Sequence, residues 1–189
     1  DGDEKFHEDS SGISEIAQAL AGKDCSLTSL NLSYNDLGDE SVTALAGVLD
    51  INKSLTALDL SHNQTRRVGA KAICDSFKRG WSLLKHLNVS LWNEDAALGL
   101  VNTFQAKDHM RSLGLSSTSL PSEGIQTVAI YVGESTELTS LDLTECDVYA
   151  HGMSAIANAL QAPHCSLASL DLSQNSVYHN ETGLRQNSD

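Results

Sequence analysis

A six-residue pattern, Leu-x-x-Leu-x-Leu, recurs six times along this chain and limits its fold more than any other feature. It reads Leu27-Leu30-Leu32, Leu55-Leu58-Leu60, Leu84-Leu87-Val89, Met110-Leu113-Leu115, Leu138-Leu141-Leu143 and Leu167-Leu170-Leu172, at spacings of 28, 29, 26, 28 and 29 residues. Chance does not hold such a register. A fixed period of this length means one supersecondary unit per repeat.

Each unit divides into two halves. In the first, alternation sends Leu30 and Leu32 to one side of an extended segment and Asn31 and Ser33 to the other. Three residues after the third apolar position stands a column of Asn35, Asn63, Trp92, Thr118, Cys146 and Asn175. The asparagines there are expected to satisfy backbone groups that have left the strand, which makes them structural. In the second half apolar residues return at helical spacing: Val42-Leu45-Leu49, Ala70-Ile73-Phe77, Ala97-Leu100-Phe104, Ile125-Val128-Val132 and Met153-Ile156-Leu160. Gly69, Gly124 and Gly152 are read as preceding three of these helices. Neither half can bury its apolar face alone, so successive units must stack. Strands about 4.8 Å apart and helices about 10 Å across cannot stack straight. The expectation is a curved α/β solenoid with a parallel sheet on the concave face and helices on the convex face.

The third unit departs from the pattern. Its helix starts two residues early, Trp92 replaces the asparagine, and Glu94 replaces the apolar residue that follows. The ends depart too. A helical stripe, Ile13-Ile16-Leu20, precedes the first strand, but Asp1–Asp9 is acidic and holds no Leu-x-Leu. No apolar stripe follows Val177. One repeat domain is expected over 1–189, with an irregular acidic segment at 1–11, repeats over 12–177 and an irregular segment at 178–189. Neither end reads as a capping repeat, so the expected context is a longer array, or an array closed by irregular caps.

The stretches Cys25–Leu49 (CSLTSLNLSYNDLGDESVTALAGVL) and Leu138–Asn175 resemble the leucine-rich repeats of ribonuclease inhibitors and NOD-like receptors. The period and the Cys-Ser-Leu lead-in both match that subtype, and the resemblance covers residues 12–177. It implies a leucine-rich-repeat solenoid that binds proteins through its concave face and rims. Some relatives are GTPase activators for a nuclear-transport GTPase and others are innate-immune sensors. A GTPase activator, and a structural spacer in a large assembly, therefore stand as alternatives to a protein-binding module.

Charge narrows the partner. The formal net charge is −13, which opposes binding to nucleic acid, where Lys and Arg must replace counterions, and to anionic membranes. A basic protein partner is compatible with it. No run of 18 apolar residues spans a membrane, and no basic-then-apolar leader is visible, although the chain starts at Asp1. Six of the twelve basic residues, Arg66, Arg67, Lys71, Lys78, Arg79 and Lys85, fall within twenty positions and read as a solvated face.

Cys25 and Cys165 occupy equivalent places five repeats apart, roughly 24 Å at sheet spacing, far beyond disulfide reach. Cys74 belongs to the helical layer, and Cys146 lies at the opposite end of its repeat from Cys165. Free thiols are expected, and with them a cytoplasmic location. Five N-x-[ST] triplets pull the other way, at Asn31, Asn52, Asn63, Asn88 and Asn180; only Asn52 and Asn180 are read as lying in loops.

Chemistry is hard to find. The chain has no phosphate-binding glycine loop, no HExxH and no CxxC, and its seven histidines lack metal-ligand spacing. No cofactor is expected. Asp59, Ser61, His62 and His86 could approach one another on adjacent strands. Yet Ser or Thr recurs at the Ser61 position in every repeat, and Asp or Asn beside it in five of six. Repetition marks scaffold, so the chain is read as no enzyme. The concave columns are small and polar, whereas binding anchors are usually aromatic or Arg. The expected anchors therefore sit on the rim: Tyr34, His62, Leu91 and Trp92 at strand ends, and Tyr149 and Tyr178 in a shared column. Asp59, Asp142 and Asp171 are expected to steer a partner electrostatically.

Overall fold

The computed structural model describes residues 9–80, 83–91 and 94–176. Helices and strands alternate: α1 Ser11–Ala21, β1 Ser29–Asn31, α2 Asp39–Leu49, β2 Ala57–Leu60, α3 Arg67–Arg79, β3 His86–Val89, α4 Glu94–Lys107, β4 Ser112–Gly114, α5 Ser122–Glu134, β5 Ser140–Asp142, α6 Ala150–Ala159 and β6 Ser169–Asp171. The six strands form one parallel sheet in chain order. Each helix packs only on its neighbours in sequence. This is the curved solenoid expected from the period.

The register is that of the repeat. Leu30, Leu58, Leu87, Leu113, Leu141 and Leu170 stand opposite one another across the sheet. The four central ones are buried, and the outer two are half-buried. The helical stripes turn inward to meet them: Val42, Leu45, Ala70, Phe77, Leu100, Phe104 and Val128 have no exposed surface. Phe77 and Phe104 meet edge to face, with ring centroids 4.8 Å apart, a favoured aromatic geometry. Leu160, expected in the last stripe, is instead the C-cap residue of α6 and 44% exposed. Among the described residues α6 has a helical neighbour on one side only.

Gly69, Gly124 and Gly152 lie inside the first turns of α3, α5 and α6 rather than before them. At Gly152 a Cβ would stand 2.9 Å from Ile125 Cγ1, and at Gly69 it would stand 2.9 Å from Asp39 Oδ1 and 3.1 Å from Val42 Cβ. Only a residue without a side chain lets successive helices approach this closely. The early start of α4 is as expected: four residues separate Val89 from Glu94, against six between Leu60 and Arg67.

The asparagine column works between repeats. Asn63 Oδ1 accepts the backbone amides of Asn35 and Leu37 (both 3.0 Å), and its Nδ2 donates to the carbonyls of Leu32 (2.8 Å) and Leu60 (3.0 Å). Asn175 repeats the pattern on Cys146, Val148, Leu143 and Leu172. Where the column departs from Asn, the role is divided. Thr118 Oγ1 accepts the Leu91 amide (2.9 Å), and the Cys146 thiol donates to the Leu115 carbonyl (2.9 Å). Asn35 differs: it is exposed, and its Nδ2 reaches only the Ser33 carbonyl two residues away.

Candidate functional site

Two columns of side chains leave the sheet on the face away from the helices. One runs Ser29, Ala57, His86, Ser112, Ser140, Ser169; the other runs Asn31, Asp59, Asn88, Gly114, Asp142, Asp171. The second column meets a tight spot at Gly114, where a Cβ would lie 2.2 Å from Asn88 Oδ1. The glycine gives the Asn88 amide its space. The face is accordingly shallow, small and polar.

The acidic members of this column also shape the strand ends. Asp59 Oδ1 accepts the Ser61 amide (2.9 Å) and hydroxyl (2.7 Å), and Asp171 Oδ1 does the same for Ser173. Asp142 accepts the Thr144 amide (2.9 Å), and Asn31 holds both Ser33 groups. Hydrogen bonds from Ser173, hydroxyl first and then amide, hold the Asp171 carboxyl below its ordinary range. Ser61 is buried, and its hydroxyl is engaged in this local turn. The Asp59–Ser61 pair is thus one copy of a repeated turn, as the recurrence of its residue types implies.

Past the turn in five of the six repeats the chain enters the left-handed region at one repeated position. Tyr34, His62, Ser117, Glu145 and Gln174 have φ of 57°, 54°, 56°, 57° and 57°. This swings the backbone off the sheet and projects the side chain from the strand end. The amides of this column bond to the next repeat: Tyr34 to the Ser61 carbonyl (3.2 Å), His62 to Ser90 Oγ (2.8 Å), Ser117 to the Thr144 carbonyl (2.9 Å). Rim side chains are thereby stacked at close to the strand spacing. Tyr34 and His62 lie face on face, centroids 4.2 Å apart and 12° from parallel, with Tyr34 74% exposed. Ser117 donates to Glu145 Oε2 in the same column (2.9 Å).

The other expected anchors divide. Leu91 is 1% exposed, so it packs beneath the rim and offers no accessible anchor; apolarity at a rim position was met by burial in the core. Tyr149 is half-buried at the N-cap of α6, near His151 with ring centroids 6.3 Å apart. That place corresponds to helix entry, as do Gly38 and Arg66, so Tyr149 is not in the Tyr34 column. Trp92 and Tyr178 lie outside the described residues.

Three polar roles had no signal in the repeat pattern. The Asp39 carboxylate crosses to the next repeat and accepts the amides of Arg66 (2.8 Å), Val68 (3.2 Å) and Gly69 (2.9 Å). These N–H groups lie at the start of α3, where negative charge is favoured. Asp108 serves the far edge, accepting the Ser135 hydroxyl and the Thr136 amide and hydroxyl. Burial opposes its charge, yet these hydrogen bonds prevail and hold its carboxyl below the ordinary carboxylate pKa. Asn52, read above as a loop residue, is 9% exposed. Its Nδ2 donates to the Leu20 carbonyl (2.7 Å) and its Oδ1 accepts the Leu55 amide (2.7 Å). Its amide is therefore spent on structure.

Cys25, Cys74, Cys146 and Cys165 are free thiols. Burial pushes Cys74 up to about 11 and Cys146 up to about 12, so neither is a thiolate at neutral pH. Among the described residues, no His, Cys, Asp or Glu side chains gather in a metal-binding group of three. No described helix is long and apolar enough to cross a membrane.

Known proteins carry the same repeat. The family described as Leucine Rich repeat matches residues 23–46, 52–74 and 134–157. A ribonuclease inhibitor of Mus musculus is 30% identical over 171 residues, covering 88% of this chain and 37% of its own length. The NACHT, LRR and PYD domains-containing protein 4E of Mus musculus is 27% identical over 172 residues, covering 89% of this chain and 17% of its own length. This chain thus spans about a third or less of the curated relatives it matches. In three dimensions the tropomodulin C-terminal domain of Caenorhabditis elegans superposes with a TM-score of 0.63 over 82% of this chain and 93% of its own, at 12% identity, a likeness of fold alone. The repeat register, the cross-repeat asparagines and these relatives make this chain a leucine-rich-repeat protein, related to ribonuclease inhibitors and to the leucine-rich-repeat domains of NACHT, LRR and PYD proteins.

Proposed function

We propose that this chain is a protein-binding module, part of a larger receptor or longer array, which takes a basic partner on the rim formed where the concave strands end. One observation carries the reading: the stacked Tyr34–His62 pair stands on the rim, its tyrosine exposed and its histidine half-buried, at one end of a column that holds Asp59, Asp142 and Asp171. A stacked pair supplies rigid flat area at small entropic cost. Its tyrosine face attracts a guanidinium or ammonium, and the carboxylates beside it raise the encounter rate. Tyr149 forms a second, separate anchor, and Trp92 and Tyr178 complete the set from the sequence. The shallow concave columns leave room for the partner's body. Four free cysteines support a reducing compartment, hence the cytoplasm. The chain acts by binding rather than by catalysis, and neither nucleic acid nor membrane is its target.

The test is site-specific photocrosslinking in cell extract, with benzoylphenylalanine at position 34, at 149 or, as a convex control on α5, at the exposed Ile130. Discrete protein adducts are expected from 34 and 149, weakening with salt, and none from 130. With the crosslinked partner in hand, Tyr34→Ala should weaken binding about tenfold, the effect of a modest hot spot. Adducts from 130 alone would move the interface to the helices. Adducts from none of the three would favour the structural spacer.

A further inference from the structure

Four of the twelve basic residues of this acidic chain lie on one helix, α3. Arg67, Lys71 and Lys78 fall within about 40° of one another around its axis at 3.6 residues per turn. All three are exposed along the flank that borders α4. Lys71 pairs with Asp75 one turn on, and Arg79, off this flank, pairs with Asp50. Arg67 and Lys78 make no ion pair among the described residues.

The flank borders a cleft. Between α3 and α4 lies an open space of about 270 Å³, walled by Arg67, Lys71 and Lys78 and by Asp95, and floored by Cys74 and Ala96. Its cause is legible in α4. An added Cβ at Gly99 would meet nothing nearer than Cys74 Sγ at 3.9 Å, whereas at Gly69 and Gly152 it would meet the adjoining repeat at 2.9 Å. At the α2–α3 and α5–α6 joints a glycine draws the helices together; at α3–α4 the small residues leave the outer part of the joint open. Deeper down the Phe77–Phe104 contact closes it.

We propose that the α3–α4 cleft is a second docking site, on the convex side, for an extended protein segment rich in Asp and Glu. The spacing fits. Arg67 and Lys71 are about 6 Å apart along the helix axis and Lys71 and Lys78 about 10.5 Å. Same-side residues of an extended strand lie about 6.7 Å apart, so alternate carboxylates reach the first two cations, and the next one on the same side lies about 4 Å short of Lys78, within the sweep of its flexible four-carbon stem. The apolar floor takes small side chains between them. The acidic residues Asp75 and Asp95, set among the cations, repel the dense charge of a nucleic-acid backbone or an anionic membrane. Single carboxylates can be placed between them. This site is independent of the rim proposed above and faces the other way.

The probe is a fluorescein-labelled peptide of alternating Glu and Ala, titrated by anisotropy against the full chain. The Gln/Ala peptide, a phosphoserine/Ala peptide, a single-stranded oligonucleotide and phosphatidylserine vesicles serve as comparisons. Saturable, salt-sensitive binding of the Glu peptide is expected, with none of the Gln peptide. The pair Arg67→Gln and Lys78→Gln, at exposed positions that leave the core untouched, should weaken it about tenfold or more. Gly99→Leu, which fills the cleft without changing charge, should weaken it similarly, while Tyr34→Ala should leave it unchanged. Failure of the Glu peptide to bind, equal binding by the charge pair, or tighter binding of the phosphopeptide, oligonucleotide or vesicles would each overturn the proposal. Should Gly99→Leu fail to fold, the charge pair still decides.

Discussion

A single amide side chain can serve two repeats, and Asn63 does so with every hydrogen-bonding position it has. Its oxygen takes two amides of the preceding turn, and its nitrogen reaches the carbonyls at the ends of two strands. It is 2% exposed, so each group it releases would be stranded away from water. Asn63→Ala is expected to cost at least about 1–3 kcal/mol, read as a lowered urea midpoint. Asn35→Ala, at the same repeat position but exposed and bonded only locally, should shift the midpoint by under about 0.5 kcal/mol. Equal effects would show that the column acts within a repeat rather than between repeats. The column letter was visible in the sequence. Its direction was not: each asparagine supports the turn before it, so the first has nothing to support among the described residues.

At the scale of the element, a strand of three or four residues survives because half of it is core. Leu141 is 1% exposed and Ser140 beside it points to the concave face. Leu141→Ala should therefore cost about 2–5 kcal/mol, and Ser140→Ala under about 0.5 kcal/mol, in chemical denaturation of each variant. Similar losses from both would mean that the register is wrong. This alternation, and the helical stripes behind it, were legible because periodicity records which face of an element is buried. Contacts between elements leave no such record. The closeness enforced by Gly69, the reach of Asp39 across to α3, and the structural use of Asn52 depend on what stands in the adjoining repeat. Leu91 shows the same limit in reverse: an apolar residue at a rim position gives no sign, in one sequence, of whether it faces the partner or the core.

Across the whole molecule, the cysteines are kept apart by the architecture that repeats them. Cys25 and Cys165 belong to the first and last described periods, Cys74 to a helix and Cys146 to a turn. All four should react with an alkylating reagent after unfolding without reductant, each adding one label by mass spectrometry. A crosslinked pair that resists labelling would contradict the free thiols and, with them, the reducing location. The two proposed surfaces are likewise separated by the stack, with an aromatic rim beside an acidic concave column on one side and a basic flank on α3 on the other.

The open joint between α3 and α4 has a mechanical meaning as well. In a stack whose helices touch only the next in line, bending stiffness is set joint by joint, as in a row of springs in series. Two such joints are drawn tight through glycine, and one is left with space between its outer edges. The α3–α4 joint, closed at depth by Phe77 and Phe104 but open at its outer edge, therefore adds compliance to the arc, and a wedge seated in it from the convex side would take that compliance away.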